Sequence, residues 1–538
     1  MTPAEPTLRI AAPLPAQQGD QRTPAYHVAE VPESAWSHAG GRRRTWVSRA
    51  ALLAVLALQA ALSLRLSNTA FQDEALYLTA GHAELDHLLH GAPAPRHYAA
   101  YFSGSPQLYP VLAALVDSRF GLHGARLLSL CFMLGATGLL YSFTRRLFNE
   151  RTGLAAAALF AVLQSTVVMG YFATYDAPAV FLLALAAWIV VRTARAPAPA
   201  VLLAAPVMVL AVGVKYAAGL YLPTLVALAL LTAWPGRGAK ALLRPLLLVA
   251  ATGVLVALGI HGTDLLAGVQ QTTTDRDHGT DGAALLLGRS AEWGGLMFLT
   301  AVGGAVSYAR HGRLRESPTA WRLGGPGRRR RALLGLLLCT TALLAPAYQV
   351  HLGTMVSLFK HVGFGLLFAA PMAGVGLTRL VGAHFRHPQL GIALWTAAVC
   401  LGISQADGRF GNWPDSTGMV RTIASEVNDR GLYLSSTPEV PVYYLRDRTS
   451  HDRWRSVFGM DYTNPSGHWF TGDDAYRAAV RDGAFDLVVL DGFTNPRVDR
   501  VITESMRDNP HYRLLAHLRP ASPSGGQRHH RYRIWVKH

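Results

Sequence analysis

Long apolar segments that alternate with short connections dominate the chain. About eleven of these segments have the roughly 20 apolar residues that a helix needs to cross a bilayer. Their predicted limits are about 50–67, 124–143, 153–171, 177–193, 199–214, 217–234, 245–261, 292–309, 332–348, 361–379 and 388–404. Only 15% of the 538 residues are charged, whereas soluble domains have about 25%. The sequence therefore predicts a mainly α-helical, polytopic membrane protein.

Basic residues fall in every second connection between these segments. The first segment follows Arg42–Arg44, and later basic runs include Arg145–Arg146 and Arg328–Arg331. Because cytoplasmic loops are enriched in Lys and Arg, this pattern predicts an N-terminus inside the cell and a C-terminal part outside it. We expect a multi-pass protein of a bacterial cytoplasmic membrane, in contact with membrane lipid. The net charge of +17 belongs mainly to such runs, so nucleic acid is not an expected partner.

Composition divides the chain into three parts. Residues 1–48 are predicted to be a disordered cytoplasmic tail, because their first 41 residues are rich in Pro, Ala and Gln and contain no apolar run. Residues 49–404 form the predicted transmembrane domain. Residues 405–538 hold 18 basic and 16 acidic residues and alternate strand and helix patterns. They predict a small extracytoplasmic α/β domain with a mainly parallel sheet.

The first outer connection, about 68–122, is unusually long and is rich in carboxylates, histidines and aromatic residues. A loop of this length in a compact protein is usually functional. Leucines between Leu78 and Leu89 share a helical face, so we expect an interfacial helix here and a second one over Leu108–Phe120. The adjacent carboxylates Asp73 and Glu74 lie where the first of these helices begins.

Charged side chains at the ends of membrane spans are costly, which makes them candidate functional residues. The predicted topology places several on the outer face: Asp73, Glu74, Asp176, Lys215, Arg276 and Lys360, with His361 beside the last. A carboxylate can act as a general base on an acceptor hydroxyl. Cations can neutralise the charge that develops on a phosphate leaving group. The set therefore suits group transfer from a lipid-linked phosphate donor.

Short motifs follow one another in an order that is typical of one superfamily. They are Asp73-Glu74 with Tyr77, Ser105-Pro106-Gln107-Leu108-Tyr109-Pro110, Ala125-Arg126-Leu127-Leu128-Ser129, Thr144-Arg145-Arg146-Leu147-Phe148, Asp176-Ala177-Pro178, and Lys215. Over residues 45–400 the chain resembles the GT-C glycosyltransferases. It is nearest to the branch that contains the dolichyl-phosphate-mannose protein mannosyltransferases and the aminoarabinose transferases. It departs from that branch at Gln107, where many members have a second proline.

This resemblance implies an integral-membrane glycosyltransferase of the hexosyl or mannosyl type. It would move a sugar from a polyprenyl-phosphate donor to an acceptor hydroxyl at the outer face of the membrane. Asp73 would be the general base, and Glu74 would orient the acceptor or bind a cation. The other assigned contacts to donor or acceptor are Tyr77, Asp176, Lys215, Arg276, Lys360 and His361. A glycan, a lipid or a protein acceptor stays open, as does a divalent metal ion as cofactor.

Simpler roles exist for the same residues. Asp73 and Glu74 could stabilise a helix N-terminus, Asp176 could cap a helix, and Lys215 could extend toward lipid headgroups. A transporter or flippase is the alternative function, although such proteins place ionisable groups near the bilayer midplane within paired repeats. A non-catalytic membrane sensor would depend on the soluble domain and would be insensitive to changes at Asp73.

Overall fold

The chain folds into a helical bundle followed by a small mixed α/β domain. The structure, a computed structural model, describes residues 41–93, 98, 102–261, 265–275, 278–311, 327–382, 385–519 and 531–538. Within these ranges, six helical segments are long and apolar enough to cross a membrane: Trp46–Ser63, Tyr109–Leu147, Tyr216–Ile260, Arg328–Leu352, Leu358–Val381 and Pro388–Gly411. A helix, or two consecutive helices, lies in each predicted span. The predicted fold class, a mainly α-helical polytopic membrane protein, is confirmed.

The bundle contains fifteen α-helices among the described residues. They are α1 (Gly41–Ser63), α2 (Gln72–His90), α3 (Tyr109–Leu147), α4 (Glu150–Ala161), α5 (Gln164–Met169), α6 (Asp176–Arg192), α7 (Ala204–Val214), α8 (Leu222–Arg237), α9 (Leu243–Ile260), α10 (Leu265–Val269), α11 (Ala283–His311), α12 (Arg328–Thr341), α13 (Leu344–Leu352), α14 (Leu358–Val381) and α15 (Pro388–Gly411).

Both helices predicted in the first long connection are present. The first is α2. The second forms the start of α3, where Gly121 adopts a φ of 63° and breaks the helical backbone before the span that follows. Glycine tolerates this left-handed conformation at little cost, so the chain can turn from the short helix into the span. Leu78 of α2 is buried, while Leu88 and Leu89 near its C-terminus are exposed.

Among the described segments that are long enough to cross a membrane, α14 is the most enclosed, since its apolar stretch is 83% buried. It packs closely against α11 because glycines lie at the contact. A Cβ on Gly304 of α11 would lie 2.0 Å from the Met372 carbonyl oxygen, and one on Gly376 would lie 2.2 Å from that of Thr300. Small residues allow two membrane helices to approach in this way. The first turn of α14 carries Lys360 and His361, so this rigid helix fixes both.

The C-terminal domain is built on a five-stranded sheet with the order β2-β1-β5-β7-β6. Its elements are α16 (Thr417–Ile423), β1 (Tyr433–Ser435), α17 (Glu439–Tyr444), β2 (Trp454–Ser456), β3 (Asp461–Thr463), β4 (Trp469–Thr471), α18 (Gly472–Arg481), β5 (Leu487–Leu490), α19 (Pro496–Ser505), β6 (Tyr512–Leu518) and β7 (Tyr532–Lys537). Strands β3 and β4 form a separate antiparallel pair.

The prediction of a mainly parallel sheet is wrong. Strand β1 pairs in parallel with β2 and β5, but β7 runs antiparallel to both β5 and β6. A parallel pair of strands needs a crossover connection, usually a helix, whereas an antiparallel pair does not. Strands β6 and β7 pair with each other in antiparallel orientation, and β6 has no strong alternation of apolar residues that would mark it in the sequence.

The predicted boundaries of the transmembrane domain fall within helices. Helix α1 begins at Gly41, before the predicted limit at 48, and α15 continues to Gly411, beyond the predicted limit at 404. The predicted tail lies outside the described residues over 1–40. The predicted division into three parts otherwise stays a prediction.

Candidate active site

Four charged side chains meet at one end of the bundle. Asp176 begins α6, and its two carboxylate oxygens lie 2.8 Å from Lys215 Nζ and 3.1 Å from Lys360 Nζ. The Lys360 ammonium also lies 3.4 Å from Asp73 Oδ2. Two carboxylates and two ammonium groups thus form one cluster, which we call the Asp–Lys cluster, with formal charges that cancel.

Solvent reaches one member of the Asp–Lys cluster. The side chains of Asp176, Lys215 and Lys360 are 1%, 4% and 4% exposed, whereas that of Asp73 is 37% exposed. Buried charges are retained where they are paired and hydrogen-bonded, which is the situation of the inner three. Asp73 is therefore the carboxylate that a substrate can contact without rearrangement of the cluster.

Backbone pairing between two distant segments places Lys215. The Tyr216 N–H donates to the Ser103 carbonyl at 2.9 Å, and the Ser105 N–H donates to the Gly213 carbonyl at 2.8 Å. Between them, a Cβ on Gly104 would lie 1.9 Å from the Val214 carbonyl oxygen. A glycine is thus required for this approach, which ties the end of α7 to the first long connection.

Lys360 and His361 are held from several sides. The Lys360 ammonium lies 5.2 Å from the centre of the Phe172 ring and 5.7 Å from that of Phe359, which is cation–π range. Nδ1 of His361 lies 3.2 Å from Nε2 of Gln349 in α13. His361 is also close enough to Asp176 to interact with its charge. Lys360 is therefore a member of the Asp–Lys cluster, and His361 lies next to it on α14.

Glu74 points away from the Asp–Lys cluster and is fully buried. Its carboxylate accepts a bidentate pair from Arg126, at 2.8 Å from Nε and 2.6 Å from Nη2. It also accepts from the backbone N–H groups of Ala173 at 2.9 Å and Phe71 at 3.0 Å. The remaining Arg126 donors reach the carbonyl oxygens of Asn68 and Thr69. One ion pair thus joins α2, α3 and the turn that precedes α6.

Tyr77 lies one helical turn after Asp73 and packs in an aromatic cluster. Its ring centre is 4.5 Å from that of Tyr175 and 5.1 Å from that of Phe102, both in edge-to-face geometry. Burial and then the charges of Asp73 and Asp176 raise the pKa of Tyr77 well above its usual range, against a hydrogen bond with Ser103. Its hydroxyl therefore keeps its proton and can donate a hydrogen bond.

The C-terminal domain is fastened to the first long connection by α17. The Tyr443 hydroxyl donates to Asp117 Oδ1 at 2.7 Å, and Arg446 Nη1 lies 3.3 Å from Oδ2 of the same carboxylate. His82 of α2 lies 2.7 Å from that Oδ2. At the same end of α17, the hydroxyl of the next residue, Tyr444, accepts from the Ala70 N–H at 2.8 Å. The soluble domain therefore lies directly beside the start of α2.

The sequence missed two groups and named one that the structure does not describe. Arg126 lies within the predicted span 124–143. A charged residue in a span is the signal that could have identified it as functional. Tyr443 carried no such signal, since nothing local predicts a contact across more than 300 residues. Arg276 lies outside the described residues. Within the described ranges, no group of three or more His, Cys, Asp or Glu side chains could hold a metal ion.

The chain resembles known proteins in sequence and in structure. The family model described as dolichyl-phosphate-mannose-protein mannosyltransferase matches residues 108–261. A comparison with curated protein sequences finds no match. The structure is similar to ArnT from Cupriavidus metallidurans bound to undecaprenyl phosphate, with a TM-score of 0.57 and 13% identity over 92% of this chain and 98% of that chain.

A second similar structure is the oligosaccharyltransferase AglB from Archaeoglobus fulgidus in complex with an inhibitory peptide and a dolichol-phosphate. Its TM-score is 0.53, with 12% identity over 89% of this chain and 75% of that chain. Another structure of an oligosaccharyltransferase from this archaeon, with zinc and sulfate, gives a TM-score of 0.51, with 14% identity over 85% and 71%. The chain thus has the GT-C fold of membrane glycosyltransferases. Its resemblance to the mannosyltransferase and ArnT type is confirmed.

Proposed function

We propose that this protein is an integral-membrane glycosyltransferase that moves a sugar, of hexose type, from a polyprenyl-phosphate donor to an acceptor hydroxyl. The observation that carries the proposal is the single exposed carboxylate, Asp73, at the edge of the otherwise buried Asp–Lys cluster. The mannosyltransferase family match and the GT-C fold support the class. The undecaprenyl phosphate bound to ArnT and the dolichol-phosphate bound to AglB support a polyprenyl-phosphate donor.

Asp73 acts as the general base in this proposal. It takes the proton of the acceptor hydroxyl while the acceptor oxygen bonds to the anomeric carbon of the sugar. The bond from that carbon to the phosphate oxygen breaks, and its electron pair leaves with the polyprenyl phosphate. Lys360 lies 3.4 Å from the Asp73 carboxylate, so the proposed base is in direct contact with the Asp–Lys cluster.

The two lysines of the Asp–Lys cluster supply positive charge where the leaving phosphate gains negative charge. Lys215 and Lys360 share Asp176 as a common counter-ion. Asp176 therefore keeps both ammonium groups fixed before the donor binds, which reduces the reorganisation needed during the reaction. Arg276 and His361 remain predicted contacts of the donor phosphate, and Tyr77 remains a predicted acceptor contact.

Glu74 has a positioning role in this proposal. Its four hydrogen bonds leave its carboxylate no direction from which a substrate could approach. Through Arg126 it fixes the start of α2 and thus the direction in which Asp73 points. The proposal also places the Asp–Lys cluster and the C-terminal domain on the outer face of the cytoplasmic membrane, because the basic connections lie at the opposite ends of the helices.

Substitution of Asp73 tests the proposal. Asp73→Asn and Asp73→Ala should lower sugar transfer by a factor on the order of 10²–10⁴, with unchanged thermal stability and unchanged binding of undecaprenyl phosphate. Transfer is measured from undecaprenyl-phosphate-linked radiolabelled hexoses to membranes of source cells that lack the protein. Asp86→Asn is the matched control, since Asp86 lies on the same helix and its side chain is 64% exposed. Wild-type rates in both Asp73 variants would contradict the assignment.

A further inference from the structure

Glu439 is brought to the candidate site by the C-terminal domain. It is the first residue of α17, which packs against α2 and is anchored to Ala70 through the Tyr444 hydroxyl. The Glu439 side chain lies within hydrogen-bonding reach of Gln72, the first residue of α2, so the start of α17 lies beside the start of α2. Glu439 belongs to neither the Asp–Lys cluster nor the Glu74–Arg126 pair.

One oxygen of the Glu439 carboxyl group has no partner. Its Oε2 is inaccessible to solvent and makes no hydrogen bond within the described part of the chain. The group lies within hydrogen-bonding reach of the Gln72 side chain and of its own backbone N–H. Buried polar groups are almost always satisfied. An unsatisfied carboxyl oxygen beside a candidate base therefore calls for a ligand that donates a hydrogen bond.

The electrostatic environment agrees with this position. Burial raises the pKa of Glu439 to about 7, and the charge on Asp73 adds to the shift, against the hydrogen bonds from its own backbone and from Gln72. Gln72, which the Glu439 side chain reaches, is the residue directly before Asp73, so the two carboxyl groups lie near each other. The half-protonated group can accept a hydrogen bond or donate one near neutral pH, as the hydroxyl groups of a sugar require.

We propose that Glu439 binds a second hydroxyl of the acceptor while Asp73 removes the proton from the attacking hydroxyl. This inference rests on the proposed function and narrows it. An acceptor held at two hydroxyl groups is a polyhydroxylated one, such as a sugar unit of a glycan or glycolipid. A serine or threonine side chain has only one. A site that binds a hydroxyl also discriminates strongly against analogues that lack it.

The test separates acceptor binding from donor binding. The acceptor is the membrane fraction of source cells that lack the protein, added in increasing amounts. The donors are undecaprenyl-phosphate-linked radiolabelled hexoses. Glu439→Ala should raise the amount of membrane that gives half-maximal transfer about tenfold, the usual effect of one lost hydrogen bond. Its maximal rate should stay within about twofold of wild type, since Asp73 is intact. Binding of undecaprenyl phosphate and thermal stability should not change.

Two further variants sharpen the result. Glu439→Gln keeps the shape and the hydrogen-bonding groups and should restore most of the affinity. Asp447→Ala is the control, because Asp447 is an exposed carboxylate just beyond α17. The label should appear in periodate-sensitive glycan and be absent from serine and threonine of digested protein.

Three outcomes would overturn the inference. They are wild-type half-saturation in Glu439→Ala, label on serine or threonine, and a loss of stability that Glu439→Gln shares. Wild-type protein that transfers no hexose would overturn the proposed function as well, whereas the other outcomes leave it intact.

Discussion

At the scale of single residues, two neighbouring carboxylates have different environments because of helix geometry. Successive residues on an α-helix point about 100° apart. Asp73 therefore faces Lys360 and solvent, while Glu74 faces the interior and Arg126. The sequence predicts a helix that begins at this pair, and the structure has both residues in the first turn of α2. The sequence could not show that the two carboxylates have different surroundings, because Arg126 lies 52 residues further along the chain.

The Glu74–Arg126 pair gives a prediction about stability. Glu74→Ala should destabilise the protein by about 3–5 kcal/mol, because it leaves the Arg126 guanidinium buried without its counter-ion. Glu74→Leu combined with Arg126→Met should recover much of this loss, since neither charge then remains. Thermal unfolding in detergent measures both changes, with Asp86→Ala on the same helix as the exposed control. A stability of Glu74→Ala equal to that of the control would contradict the assigned role.

At the scale of elements, the sequence predicted best what is locally periodic. The spans, both helices of the first connection and the strand β5 follow from apolar patterns that a short window reveals. The prediction of a mainly parallel sheet was wrong because strand pairing joins segments that are far apart in the chain. The docking of α17 was missed for the same reason. Asp117 lies in α3 and Tyr443 in α17, and their hydrogen bond spans 326 residues.

Removal of the Asp117 carboxylate should loosen α17. Asp117→Ala leaves the buried Tyr443 hydroxyl without its acceptor and removes the partner of His82 and Arg446. Backbone amides of Glu439–Tyr444 should then exchange with deuterium at least about tenfold faster, since one lost buried hydrogen bond is worth roughly 1–3 kcal/mol. Mass spectrometry of peptides reports the rates, with α18 as the internal reference. Equal acceleration in α18 would mean general unfolding of the domain instead of undocking.

At the scale of the whole molecule, the proposed function requires one orientation in the membrane. The Asp–Lys cluster and the C-terminal domain must both lie on the outer face. The alternation of basic connections predicts that orientation, and the cluster lies at the ends of the helices that these basic runs avoid. A general base and a lipid-phosphate site on the same face as the soluble domain would let that domain take part in acceptor binding.

The orientation can be tested with single added cysteines. Ser466→Cys lies on the exposed β3–β4 turn of the C-terminal domain, and Ala239→Cys lies exposed between α8 and α9, next to the basic Arg237 and Lys240. A charged maleimide cannot cross the bilayer core. In intact spheroplasts it should therefore label Ser466→Cys fully and Ala239→Cys only after the membrane is permeabilised. The native Cys131, Cys339 and Cys400 lie within helices of the bundle, so unmodified protein sets the background. If only Ala239→Cys were labelled in intact spheroplasts, the predicted orientation would be wrong. The Asp–Lys cluster would then lie on the cytoplasmic face.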